Sequence, residues 1–159
     1  IYEVASHPRC ANCHVGEDNL PMWSGPSYGE TRPHGMNIDG GESRIGAEYV
    51  PCQTCHAYNE TGGNNGAHEA PQVADSWHLA PVEMKWFGKS SIEICNQLRD
   101  PERNGGQDHV ELAGHLGHGP LVSWGWAPGG GREPGPYSLQ AHIDDMLAWG
   151  AAGFPCEND

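Results

Sequence analysis

Basic residues and apolar bulk are both scarce in this chain. Lysine and arginine together number 8 against 21 acidic residues, giving a net charge of -13. That balance argues against nucleic acid as a partner, because phosphate recognition needs clustered cationic side chains. A basic docking partner suits the surface better, although high acidity also serves plain solubility. Hydrophobic residues make up only 36%, and phenylalanine occurs twice. No window approaches the roughly 20 apolar residues of a membrane span, so none is expected. A chain this polar needs a large apolar guest, a metal or cross-links to complete a core.

What the chain has in excess is turn chemistry. Glycine (23) and proline (13) exceed a fifth of the 159 residues, which predicts a mostly coil fold with α-helices and little or no sheet. The length suits a single domain, 1–159, with a loop-rich half to about residue 82 and a helical half over 83–159. In the first half, "DGGES" and "TGGNNGAHEAP" favour turns. In the second, capping boxes at Ser90/Glu93 and Asp108/Glu111 open helices near 90–100 and 108–117. Ser138 begins a third, near 138–152, with Leu139, Ile143, Met146, Leu147 and Gly150 at helical spacing. Trp124 and Trp126 flank a glycine; in an extended segment both would face one side, to pack in a core or on a flat cofactor.

Two five-residue stretches carry the chemistry. "CANCH" at Cys10 to His14 returns as "CQTCH" at Cys52 to His56. Cys-x-x-Cys-His is the attachment signature of c-type haem. Its thiols form thioethers with the porphyrin vinyl groups, and the histidine behind them becomes the proximal iron ligand. The cofactor-binding set is therefore Cys10, Cys13, His14, Cys52, Cys55 and His56, with two haems c. Zinc held by four cysteines is the main competitor. The long interval between the pairs and the histidine behind each count against it. Thioredoxin-like redox chemistry lacks a strand–helix context.

Electron-transfer haems usually fill both axial positions. His34 in "RPHGMN" follows His14 by 20 residues, and His78 in "SWHLAPVEM" follows His56 by 22. They are the candidate distal ligands, so the metal-ligating set is His14, His56, His34 and His78, with the pairing of ligand to iron left open. Met36 and Met84, each just behind one of these histidines, are the His/Met alternative, and His68, His115 and His118 remain in reserve. His7 sits too close to Cys10 to reach over its own haem. Met22 and Met146 read as core residues. Cys95 and Cys156 are left over, as a disulfide or as two buried thiols; a disulfide would imply an oxidising compartment.

Fully coordinated irons leave no open site, so the expected function is outer-sphere electron transfer rather than catalysis. The rivals are a haem peroxidase or reductase with one open iron, an extracellular cytochrome filament or other homo-oligomer, and a colourless zinc module. The stretches "HPRCANCH", "HGMN", "CQTCH", "WHLAP", "ICNQLRDPERNGG" and "LVSWGWAPGGGREP", with the closing Cys156, resemble a family of small periplasmic dihaem cytochromes c from proteobacteria. Its members are often described as subunits of isoquinoline 1-oxidoreductase, a molybdenum hydroxylase. The resemblance implies export, two haems, and a redox partner such as that hydroxylase or another cytochrome. A periplasmic or extracellular location is expected on the same basis, with Ile1 in place of an initiator Met compatible with a cleaved leader.

Overall fold

A computed structural model describes residues 1–25, 29–59, 66 and 68–156. Most of them are coil, as the glycine and proline content predicts. Among the described residues there are six short α-helices and one two-stranded sheet. The chain opens with two single-turn helices, α1 (Tyr2–Ala5) and α2 (Pro8–Ala11). A two-residue ladder follows, β1 (Met22–Trp23) antiparallel to β2 (Arg32–Pro33). Most of the predicted "TGGNNGAHEAP" turn lies outside the described residues.

The helical half is built as its caps dictate. Helix α3 (Ser91–Arg99) starts at Ser90, whose hydroxyl accepts from the Glu93 amide while the Glu93 carboxylate accepts from the Ser90 amide. Asp108 and Glu111 repeat that exchange at α4 (His109–His118). Pro120 at the first helical position opens the one-turn α5 (Pro120–Ser123). Ser138 caps α6 (Leu139–Ala151) through the Ala141 amide. Each cap satisfies amides that a helix start leaves without partners.

The core is small and lies where these helices meet. Ala5, Met84, Ile94, Leu98, Leu112, Ala113 and Met146 are buried together, with Trp86, Ile143 and Leu147 packed around them. Ile94 and Leu98 share a face, as the spacing predicts, and Met146 is core. Met22 differs: it is half-buried in β1, away from that cluster. Gly150 allows α6 to approach α4, since a Cβ there would collide with the His109 ring. Cys95 and Cys156 form a disulfide, with Cα atoms 5.9 Å apart, closing the chain end onto α3. No helix among the described residues is long and apolar enough to cross a membrane.

Candidate functional site

Each five-residue motif occupies one helical turn. In the first, α2 carries Cys10, and the turn continues as the Cys13 and His14 amides both donate to the Cys10 carbonyl, at 3.1 and 3.3 Å. In the second, a 3-10 turn over Cys52–Thr54 leads to Cys55 and His56, whose amides both donate to the Cys52 carbonyl, at 3.3 and 2.9 Å. Positions i, i+3 and i+4 of a helical turn share one side. The two cysteines and the histidine of each motif are thus gathered by local backbone geometry alone.

The environment of each histidine repeats as well. His14 Nδ1 donates to the Met84 carbonyl at 2.8 Å, and His56 Nδ1 donates to the Pro71 carbonyl at 3.0 Å. A carbonyl can only accept, so the ring proton is held on Nδ1 and Nε2 keeps its lone pair. This is the outer-shell arrangement that orients a metal-binding imidazole. Trp86 stacks flat on His14 at 3.5 Å and 4° between planes. Trp77 stacks on His56 at 4.1 Å and 12°. Burial lowers both imidazole pKa values to about 4; the accepting carbonyl opposes the shift in each case.

Desolvation pushes the half-buried Cys10 thiol up to about 12 and the half-buried Cys13 thiol up to about 11. The Cys10 value is raised further by Cys13, and the Cys13 value by Cys52 of the other motif. Cys13 and Cys52, one from each motif, line the same cleft. Neither first-motif thiol is poised as a thiolate nucleophile. Burial also raises Cys52, while Cys55 is exposed.

Arg44 ties the segment behind the first motif to the loop at Ala80. Its guanidinium donates to the carbonyls of Val15 (3.0 Å), Gly16 (2.9 Å) and Ala80 (2.9 Å), and to Asn19 Oδ1 (2.8 Å). The Ala80 amide donates in turn to the Cys13 carbonyl at 3.2 Å. Arg44 sits at φ +62°, a left-handed conformation that costs an ordinary side chain energy and needs compensation of this kind.

Between the motifs runs a cleft with about 1140 Å³ of atom-free space, its open mouth included. Cys13, Cys52, Cys55, His56, His34 and His78 all line it, and Met22, Trp23, Leu79 and Trp124 give it apolar walls. Such a large apolar space carrying a few convergent polar groups has the character of a cofactor site. Six of the eight residues singled out by sequence thus share one cleft. Cys10 and His14 are not in its wall; His14 faces the Met84–Trp86 segment instead.

The distal candidates separate clearly. His34 follows β2, its Nδ1 donates to the Gly35 carbonyl at 3.0 Å, and its ring centre lies 6.3 Å from that of His56. His78 donates through Nδ1 to the Ser76 carbonyl at 3.2 Å. Burial lowers the His115 pKa, and the His78 charge adds to that shift. Met84 is spent elsewhere: its side chain fills the helical core and only its carbonyl reaches His14. Met36 is 84% exposed at the cleft mouth. His118 donates back to its own helix at Gly114, and His7 caps α2 by accepting from the Arg9 amide.

Trp124 and Trp126 do not lie in an extended segment. The chain leaves α5 directly into a 3-10 turn over Trp124–Trp126, so the two rings diverge. Trp124 lines the cleft edge-on to Trp77, while Trp126 packs near His142. Trp77, Trp86 and Arg44 were missed as site residues. Only Trp77 had a visible signal, its position beside His78. Among the described residues, no three His, Cys, Asp or Glu side chains converge as a tetrahedral metal site would require. No family model, curated protein or solved structure matches the chain.

Proposed function

We propose that this chain is a dihaem cytochrome c that carries electrons between redox partners. The observation that carries this reading is the double construction of the site. Two Cys-x-x-Cys-His turns each present a histidine with Nδ1 locked by a carbonyl, Nε2 left for a metal, and a tryptophan stacked on the ring. The donor set fits haem better than zinc. A porphyrin brings its own four nitrogens, so the protein need supply only axial ligands and thiols. A bare zinc ion needs a convergent tetrad that the described residues do not provide.

Cys10 and Cys13 would attach one haem and Cys52 and Cys55 the other, with His14 and His56 as proximal ligands and His34 and His78 as distal ones. The bound haem supplies a one-electron Fe(III)/Fe(II) couple. The chain's part would be to supply the axial histidines and to exclude water with tryptophan and aliphatic walls around a cleft that Cys13 and Cys52 both line. Four axial histidines, two for each haem, would leave neither iron open to a substrate, which favours a carrier over an enzyme. The Cys95–Cys156 disulfide supports an oxidising location, periplasmic or extracellular. The partner we expect is a redox protein with a basic docking face, given the charge of -13. A molybdenum hydroxylase or another cytochrome fits the resemblance.

The test is to export the chain in a host that matures c-type cytochromes and weigh it intact. Two haem masses beyond the polypeptide are expected, with all four motif thiols blocked. A colourless protein with four alkylatable thiols would overturn the reading.

A further inference from the structure

We propose that the distal ligands are crossed: His34, which follows the first motif in sequence, completes the coordination of the haem carried by the second motif, opposite His56. This rests on the dihaem reading and names a ligand pairing within it. The simplest expectation from sequence would be the reverse, each motif taking the histidine that comes next.

The geometry favours crossing. Two imidazoles on opposite sides of one metal, each nitrogen ~2 Å from it, place their ring centres about 6 Å apart. The His34 and His56 centres are 6.3 Å apart, with planes at 62°, an angle open to two rings rotated about a shared axis. Both rings line the same cleft as Cys52 and Cys55. Each has Nδ1 engaged by a carbonyl, so Nε2 is the nitrogen left on both. His78 lines that cleft too, but the histidine ring in contact with His56 is that of His34.

His34 is also held in place from the first motif. The Met22 amide donates to the Asn12 carbonyl at 2.9 Å. The Asn12 side-chain amide donates to Ser24 Oγ at 3.0 Å, and Ser24 Oγ hydrogen-bonds Thr31 Oγ1 at 2.7 Å. The His34 amide then donates to the Pro21 carbonyl at 2.8 Å. The β1–β2 ribbon is thus tied to the α2 turn and delivers His34 across to the other motif. Asn12 acts here as a positioning residue.

The experiment uses two single-haem backgrounds, Cys52→Ala/Cys55→Ala, which keeps the first haem, and Cys10→Ala/Cys13→Ala, which keeps the second. His34→Ala is added to each, and spin state is read by magnetic circular dichroism. Crossing predicts that His34→Ala turns the iron from low to high spin only in the Cys10→Ala/Cys13→Ala background, with added imidazole restoring low spin. Conversion in the other background, or in neither, overturns it. Should a single-haem chain fail to mature, electron density of the intact protein decides. His34 Nε2 bonded to the iron whose thioethers are Cys52 and Cys55 supports the crossing, and any other ligand opposite His56 refutes it. A wild-type chain that takes up no haem defeats the dihaem reading itself, and the pairing with it.

Discussion

The two motifs share a blueprint and differ in what supports it. The first is set on an α-helical turn with half-buried thiols, and its histidine leans on Met84 and Trp86, both attached to the core that α3, α4 and α6 build. The second is set on a 3-10 turn with one exposed thiol, and its histidine leans on Pro71 and Trp77, in a segment with no regular structure. Identical local chemistry has been mounted on a rigid base in one case and on loops in the other. The lesson is that the first site depends on the fold, while the second depends on what fills the cleft.

The strongest way to break that comparison is to remove attachment at each site in turn. Cys52→Ala/Cys55→Ala should cost one haem by mass and leave the helical far-ultraviolet signal intact. Cys10→Ala/Cys13→Ala should also cost one haem, but with a broadened thermal transition, because the first motif is joined through His14 to Met84 and Trp86 at the helical core. Equal melting behaviour in the two variants would contradict the asymmetry. Next in size, Cys95→Ser/Cys156→Ser should lower stability by about 3 kcal/mol, measured by denaturant unfolding. The loss should fall on the helical half and leave haem content at two.

Acidification separates the halves by a different route. His142 is buried on α6, and burial lowers its pKa to about 4 against the pull of Asp145. The folded value lies below the usual 6.5, so the neutral ring stabilises the fold above about pH 6.5. That contribution, on the order of 3 kcal/mol, is lost as the pH falls from there through 4. A His142→Phe variant should show a flatter acid limb in pH-dependent unfolding, and an unchanged limb would remove His142 from the account. Smallest, Arg44→Ala should cost about 2 kcal/mol by leaving its carbonyl partners unpaired. Its haem-loss temperature should fall while the helical core melts as before.

The sequence made some of this legible for identifiable reasons. Ser90/Glu93, Asp108/Glu111 and Ser138 mark their helices because a cap is a local device, complete within four residues. Cys-x-x-Cys-His is likewise local. Helices α1 and α2 escaped because one turn carries no periodicity to read. The Arg44 clamp escaped because all but one of the acceptors named above are backbone carbonyls, up to 36 positions away, which leave no residue signature. Met84 looked like a ligand by its distance behind His78, yet the helical core claims its side chain. Trp124 and Trp126 were read as one face of an extended segment, and the continuation of α5 into a 3-10 turn separated them.

The measurement that bears most directly on the central claim is near-infrared magnetic circular dichroism of the oxidised protein, with haem quantified in the same sample. Two haems per chain, both low spin with bis-histidine bands and both reducible without binding carbon monoxide, are what this account predicts. Absence of haem, or a high-spin iron that binds carbon monoxide in the native state, would contradict it.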